Sequence, residues 1–124
     1  CYIMEVSPRG GGNRLAEMLR MATGVDMITA AVKAALGEEV TGITQKPYDG
    51  YWAEVILHAD RPGTFQGLEI SPELKPYVME KDLWVKAGDT ISSFNGANDA
   101  IGTLVLKNNN YRIREIGHFI KVLV

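Results

Sequence analysis

The hydrophobic period of this chain changes once, at Glu38, and that change limits the folds open to it. Before Glu38 the apolar residues recur at helical spacing. Leu15, Met18, Leu19 and Ala22 mark a short helix over residues 14–22, and Val25, Ile28, Val32, Ala35 and Leu36 mark a second over about 25–36. Thr23-Gly24 interrupts the two. Asp26 falls in the first turn of the second helix, where the helix dipole favours an acid. Gly37 follows its last turn, the usual place for a left-handed cap. After Glu38 the helical period is gone. Gly42, Pro47 and Gly50 make residues 38–50 a linker, and from Tyr51 onward aromatic and branched runs alternate with turn residues. The runs are YWAEVILHA (51–59), TFQGLEI (64–70, after a Pro62-Gly63 turn) and AIGTLVLK (100–107, ended by three asparagines at 108–110). LWVKAGDTI (83–91) holds a further strand and an Ala87-Gly88-Asp89 turn. In the tail, Ile113, Ile116 and Ile120 fit a helix with Asn110 as a candidate cap, whereas Ile120, Val122 and Val124 alternate. This predicts a helical turn or two and then a short closing strand.

Upstream of the helices, CYIMEV (1–6) reads as a strand: four apolar side chains, then Glu5 and Val6. Pro8 and the run Gly10-Gly11-Gly12 end it. The fold class is therefore α+β. Residues 1–47 form a strand, a loop and two helices, and residues 48–124 form a small, mostly antiparallel β unit of sandwich or barrel type. The first strand is already under way at Cys1, with no initiator methionine before it. This predicts that the chain is a C-terminal piece of something longer.

Composition removes several classes. The chain has 124 residues, 46% hydrophobic and 23% charged, enough to bury a core. A formal net charge of -2 and scattered Lys and Arg argue against a nucleic-acid partner. The single cysteine, Cys1, cannot form an internal disulfide, which points to a reducing compartment. No apolar run approaches the roughly 20 residues that cross a bilayer, and no secretory leader is visible. The expectation is a cytoplasmic chain with no membrane contact.

Chemistry concentrates at the start. Strand, glycines and helix is the layout of a phosphate cradle. There is, however, no G-x-G-x-x-G, since position 15 is Leu15, and no Gly-Lys-Ser/Thr. A flexible glycine-rich turn is the alternative. Glu5, Ser7 and Arg9 alternate, so an extended backbone puts all three on one face. An acid and a hydroxyl there can hold a hard cation such as magnesium, and the arginine can fork onto a phosphate or carboxylate. A Glu5–Arg9 salt bridge is the other reading. His58 and His118 lack the partners and spacing of a zinc site, and Cys1 has no basic neighbour to activate it. Tyr51, Trp52, Phe65 and Trp84 could stack on a base, but packing in the β unit is the expectation. Glu69, Glu73, Glu80 and Asp82 read as solvated surface.

Taken together, Glu5-Val6-Ser7-Pro8-Arg9, Gly10-Gly11-Gly12, Glu17-Met18, Thr23-Gly24-Val25-Asp26 and the helix ending Ala34-Ala35-Leu36-Gly37-Glu38 resemble the end of an ATP-grasp domain. That family closes its nucleotide site with a strand of the form Glu-x-Asn-x-Arg, then a loop and a helix ending in Thr-Gly-Val-Asp. Biotin carboxylase and the large subunit of carbamoyl-phosphate synthetase carry a similar run. The Arg-x-Gly-Gly-Gly form looks closest to the amino-acid ligases. Val85-Lys86-Ala87-Gly88-Asp89 and Ile101-Gly102-Thr103-Leu104-Val105 look like features of the small C-terminal β domain of that branch. The resemblance departs at one place: Ser7 stands where the family has asparagine.

What the resemblance implies is specific. The whole protein would be an ATP- and magnesium-dependent ligase that phosphorylates a small carboxylate and passes the acyl phosphate to an amine or a thiol. Glu5 and Ser7 would be metal ligands, Arg9 catalytic, and Gly10, Gly11 and Gly12 nucleotide-binding. The chain alone would be inactive. A reading from another class is a non-catalytic module that packs on a partner domain or forms a homo-oligomer through exposed helix faces.

Overall fold

The computed structural model describes residues 2, 3, 6, 7, 10–12, 14–44, 46–108 and 116–124. They fall into two compact units, Cys1–Asp49 and Gly50–Val124. The fold is α+β, and the described residues form two α-helices and seven strands paired antiparallel.

In the first unit, helix α1 spans Leu15–Thr23 and α2 spans Met27–Ala35. Gly24, at φ 74°, ends α1, and its N–H donates to Arg20 O at 2.8 Å. The Thr23 hydroxyl donates back to Leu19 O at 2.6 Å and accepts from Val25 N–H at 3.2 Å, which fixes the turn between the helices. The second helix starts later than the apolar spacing predicts. Asp26 is its N-cap rather than a first-turn residue, and its carboxylate accepts from Thr29 N–H at 2.9 Å and Thr29 hydroxyl at 3.0 Å. At its far end Gly37 N–H bonds Ala34 O at 3.1 Å and Glu38 N–H bonds Lys33 O at 2.9 Å. With Gly37 at φ 73° this is the Schellman arrangement, so the glycine is required there. The helices touch each other, but Leu15, Leu19, Met27, Ile28, Val32 and Leu36 remain 41–69% exposed.

The expected strand over residues 1–6 is not seen at its described positions. Tyr2, Ile3 and Val6 lie in no strand and are at least 85% exposed. The physical reason is pairing: a strand is held by a neighbour's N–H and C=O groups, and among the described residues no strand pairs with this segment.

The second unit contains β1 (Tyr51–Leu57), β2 (Gly63–Thr64), β3 (Gly67–Ile70), β4 (Val78–Leu83), β5 (Thr90–Ile91), β6 (Gly102–Asn108) and β7 (Ile120–Leu123). They form one three-stranded sheet, β1-β6-β4, and two pairs, β2-β5 and β3-β7. The central β6 is buried from Gly102 through Leu106, which suits its apolar run Leu104-Val105-Leu106. Leu57, Ala59, Phe65, Leu74, Ile91, Ile101, Leu104 and Leu106 make the core. The run 64–70 is two strands with different partners, divided at buried Phe65. Phe65 N–H donates to Asp89 O at 2.8 Å and Phe65 O accepts from Gly88 N–H at 2.9 Å, so the Ala87-Gly88-Asp89 turn is stitched to it.

The strand expected inside 83–91 lies earlier, at Val78–Leu83, and only Thr90–Ile91 is strand later in that run. Glu80, Lys81 and Asp82 hide it from a hydrophobicity reading. It is an edge strand, where charged side chains are tolerated and discourage further pairing. The tail follows the reading: a single 3₁₀ turn at Ile116–Phe119 leads into β7. Asn110 and Ile113 lie outside the described residues.

Candidate functional site

The segment leading into α1 carries the candidate site, and its glycines are open. Ser7, Gly10, Gly11 and Gly12 are exposed and lie in no helix or strand. A Cβ at Gly10 or Gly12 would meet nothing within 4 Å, and one at Gly11 would lie 2.9 Å from Leu15 Cδ2, the end of a flexible side chain. Packing among the described residues therefore does not account for three consecutive glycines. Gly12 O accepts from Leu15 N–H at 3.3 Å, so the loop enters the first turn of α1 directly. Glu5 and Arg9, the acid and the fork of the expected site, lie outside the described residues, and so does Cys1.

Arg14 sets the direction of that entry. At φ 57° it is the one left-handed non-glycine residue among those described. Its guanidinium Nε pairs with Glu17 Oε2 one turn on, and Glu17 sits in the first turn, where the helix dipole favours it. Arg14 is thus a structural arginine tied to α1.

The donor chemistry of Glu5 and Ser7 is hard oxygen, which suits magnesium and not a soft metal. Ser7 is exposed and can reach a ligand, but two oxygens are fewer than magnesium takes, so the rest would come from phosphates, water or other protein groups. Among the described residues there is no cluster of three or more His, Cys, Asp or Glu able to hold a metal. His58 is exposed and its ring lies 4.6 Å from that of Phe94, and His118 is exposed in the 3₁₀ turn.

The aromatic residues divide. Phe65 is buried as expected, while Trp52 is half-buried with Lys107 Nζ 5.4 Å from its ring centre. Tyr51 and Trp84 are not core: they are 51% and 55% exposed, Tyr51 at the first position of β1 and Trp84 just past the end of β4. Trp84 Nε1 donates to Asp82 Oδ2 at 2.9 Å, an outward-facing use of the polar end of the ring.

Two carboxylates are held below their usual range by hydrogen bonds. Asp26 is lowered by the Thr29 N–H and hydroxyl, and Glu73 by its own backbone N–H and the Ser71 hydroxyl. Both serve local structure. The sequence reading missed one grouping: Lys75, Lys81 and Lys121 line a single groove of the β unit. Residues so far apart in the chain carry no common signal, and only strand pairing brings them together.

Among known proteins, no family model matches the chain and no curated protein matches it. Solved structures do. The chain superposes on phosphoribosylglycinamide synthetase from Anaerococcus prevotii with a TM-score of 0.71 and 19% identity, over 99% of this chain and 33% of that one. It superposes on L-amino acid ligase from Bacillus licheniformis with a TM-score of 0.67 and 18% identity, over 98% of this chain and 32% of that one. Both are ATP-grasp ligases, so the chain has the fold of part of such an enzyme and spans about a third of the length of each.

Proposed function

We propose that this chain works as part of an ATP-dependent ligase that activates a small carboxylate as an acyl phosphate and passes it to an amine or another nucleophile, with ADP and phosphate as products. The observation that carries the reading is the fold shared with two ATP-grasp ligases over nearly the whole chain. The exposed, sterically open glycine loop running into α1 adds to it. On this reading residues 1–47 are the end of the ATP-grasp domain and residues 48–124 its small C-terminal β domain.

The roles follow from the chemistry of each side chain. Arg9 holds the acyl phosphate or the substrate carboxylate, because a planar guanidinium meets either with two parallel hydrogen bonds. Gly10, Gly11 and Gly12 let backbone N–H groups approach the reacting phosphoryl group, which a β-carbon would obstruct. Glu5 supplies an anionic oxygen and Ser7 a neutral one toward magnesium. When bound, that ion neutralises phosphate charge. The work of these residues is positioning and charge stabilisation, as in phosphoryl transfer generally. The test is Glu5→Gln in the ligase that contains this segment, followed by ADP release under saturating substrate. Turnover should fall on the order of 100-fold with the fold intact. Unchanged turnover would remove Glu5 from the site and leave the salt bridge to Arg9.

A second reading is favoured by the exposed apolar residues of α1 and α2: a non-catalytic module whose helices bind a partner domain. Val32→Asp separates the two. Loss of assembly with unchanged turnover per assembled enzyme supports the module, and loss of neither argues that the face is idle.

A further inference from the structure

A charged groove in the β unit has no part in the reading above. The β3–β7 register sets Glu69 opposite Lys121, while Leu68, Ile70, Ile120 and Val122 pack on the core. Alternation therefore stands Glu69 and Lys121 on the outer face. The groove over this ladder is also lined by Lys75 from the 3₁₀ turn Lys75–Tyr77, Lys81 from β4, and His118 and Phe119 from the turn before β7. Three lysines and one carboxylate thus line the groove, on a chain whose net charge is -2. Among the described residues none of the three lysines forms an ion pair. Glu73 does not line the groove, and its carboxylate is held by its own backbone and Ser71. Ammonium groups gathered from three separate elements repel one another, and an anion placed among them relieves that repulsion.

We propose that this groove binds a small molecule through a phosphoryl group. A phosphate dianion offers three oxygens to point charges arriving from different sides, a geometry that lysines satisfy. Phe119, 39% exposed at the groove, gives an apolar edge for the organic part of a phosphate ester. The inference uses neither Glu5 nor Arg9 and stands apart from the ligase reading.

The test is an NMR titration of the ¹⁵N-labelled chain at low salt with three probes: inorganic phosphate, phenyl phosphate and phenol. We expect saturable amide shifts with the phosphates, confined to residues 69–71, 75, 81 and 118–121. Lys81→Gln and Lys121→Gln replace exposed side chains and should leave the fold intact. Each should weaken binding by about threefold or more, from the loss of one screened charge. Tighter binding of phenyl phosphate than of phosphate identifies an ester site, and equal binding identifies a site for free phosphate. The proposal is overturned by shifts scattered over the chain or absent with both phosphates. Phenol shifts equal to those of phenyl phosphate, or affinities unchanged in both lysine variants, overturn it as well.

Discussion

Replacing Gly102 by alanine is the sharpest structural test of the β unit. Gly102 begins β6, opposite Leu57 on one side and Leu83 on the other. A Cβ there would overlap the Asp82 carbonyl oxygen and lie 3.0 Å from Leu83 Cα, both of them backbone atoms of β4. Backbone cannot rotate aside as a side chain can, so β4 must shift or detach. Forcing one methyl into a filled space costs about 1–3 kcal/mol. For a unit of 60–100 residues each kcal/mol lowers the melting temperature by roughly 4–8 °C. We therefore expect Gly102→Ala to melt at least about 4 °C lower, and up to about 24 °C lower, by circular dichroism. Amide exchange should speed up first at residues 80–83, because among the described strands β4 is an outer one that pairs with β6 alone. Gly96→Ala is the control. Its φ is 179°, ordinary extended backbone, and a Cβ there meets nothing within 4 Å, so its melting temperature should stay near wild type. Equal melting temperatures for Gly102→Ala and wild type, with β4 protection unchanged, would refute the close approach of the two strands.

Two further outcomes follow from the same physical reasoning. Arg9→Lys in the ligase containing this segment should lose most activity, because lysine keeps the charge but not the two-pronged geometry; wild-type kinetics would make Arg9 structural. Asp26 has its carboxyl lowered by the Thr29 hydrogen bonds, so its contribution to α2 is present above the usual carboxylate range and is lost as pH falls through its depressed value. Helicity measured on acidification should therefore drop less in Asp26→Asn than in wild type, and parallel acid titrations of the two would contradict this.

Much of the fold was legible because local chemistry and packing agree. Leu15, Met18, Leu19 and Ala22 recur at helical spacing, and Gly24 and Gly37 sit where left-handed caps are needed. The run 100–107 reads as a strand, and β6 occupies Gly102–Asn108. What escaped depends on position in a sheet, which a single sequence does not state. Val78–Leu83 is strand despite Glu80, Lys81 and Asp82 because it is an outer strand. Tyr51 and Trp84 look like core but lie exposed at strand ends, the start of β1 and just past β4. Tyr2, Ile3 and Val6 belong to a run with strand propensity, but among the described residues no strand pairs with them, and propensity alone does not make a ladder. At the site, the open glycine loop ahead of α1 was readable from three adjacent glycines. The lysine groove was not, since only the β3–β7 pairing and the position of β4 unite residues 75, 81 and 121.

On the proposed function this chain contributes to an ATP-grasp site that makes an acyl phosphate and is not a catalyst alone. The most direct measurement follows nucleotide products from Mg-ATP with the isolated chain and with the ligase containing it, supplied with candidate carboxylates. No ADP should form with the isolated chain. The ligase should give carboxylate-dependent ADP and phosphate, with a hydroxamate trapped when hydroxylamine is present. Steady ADP production by the isolated chain, or AMP and pyrophosphate in place of ADP and phosphate from the ligase, would contradict the proposed function.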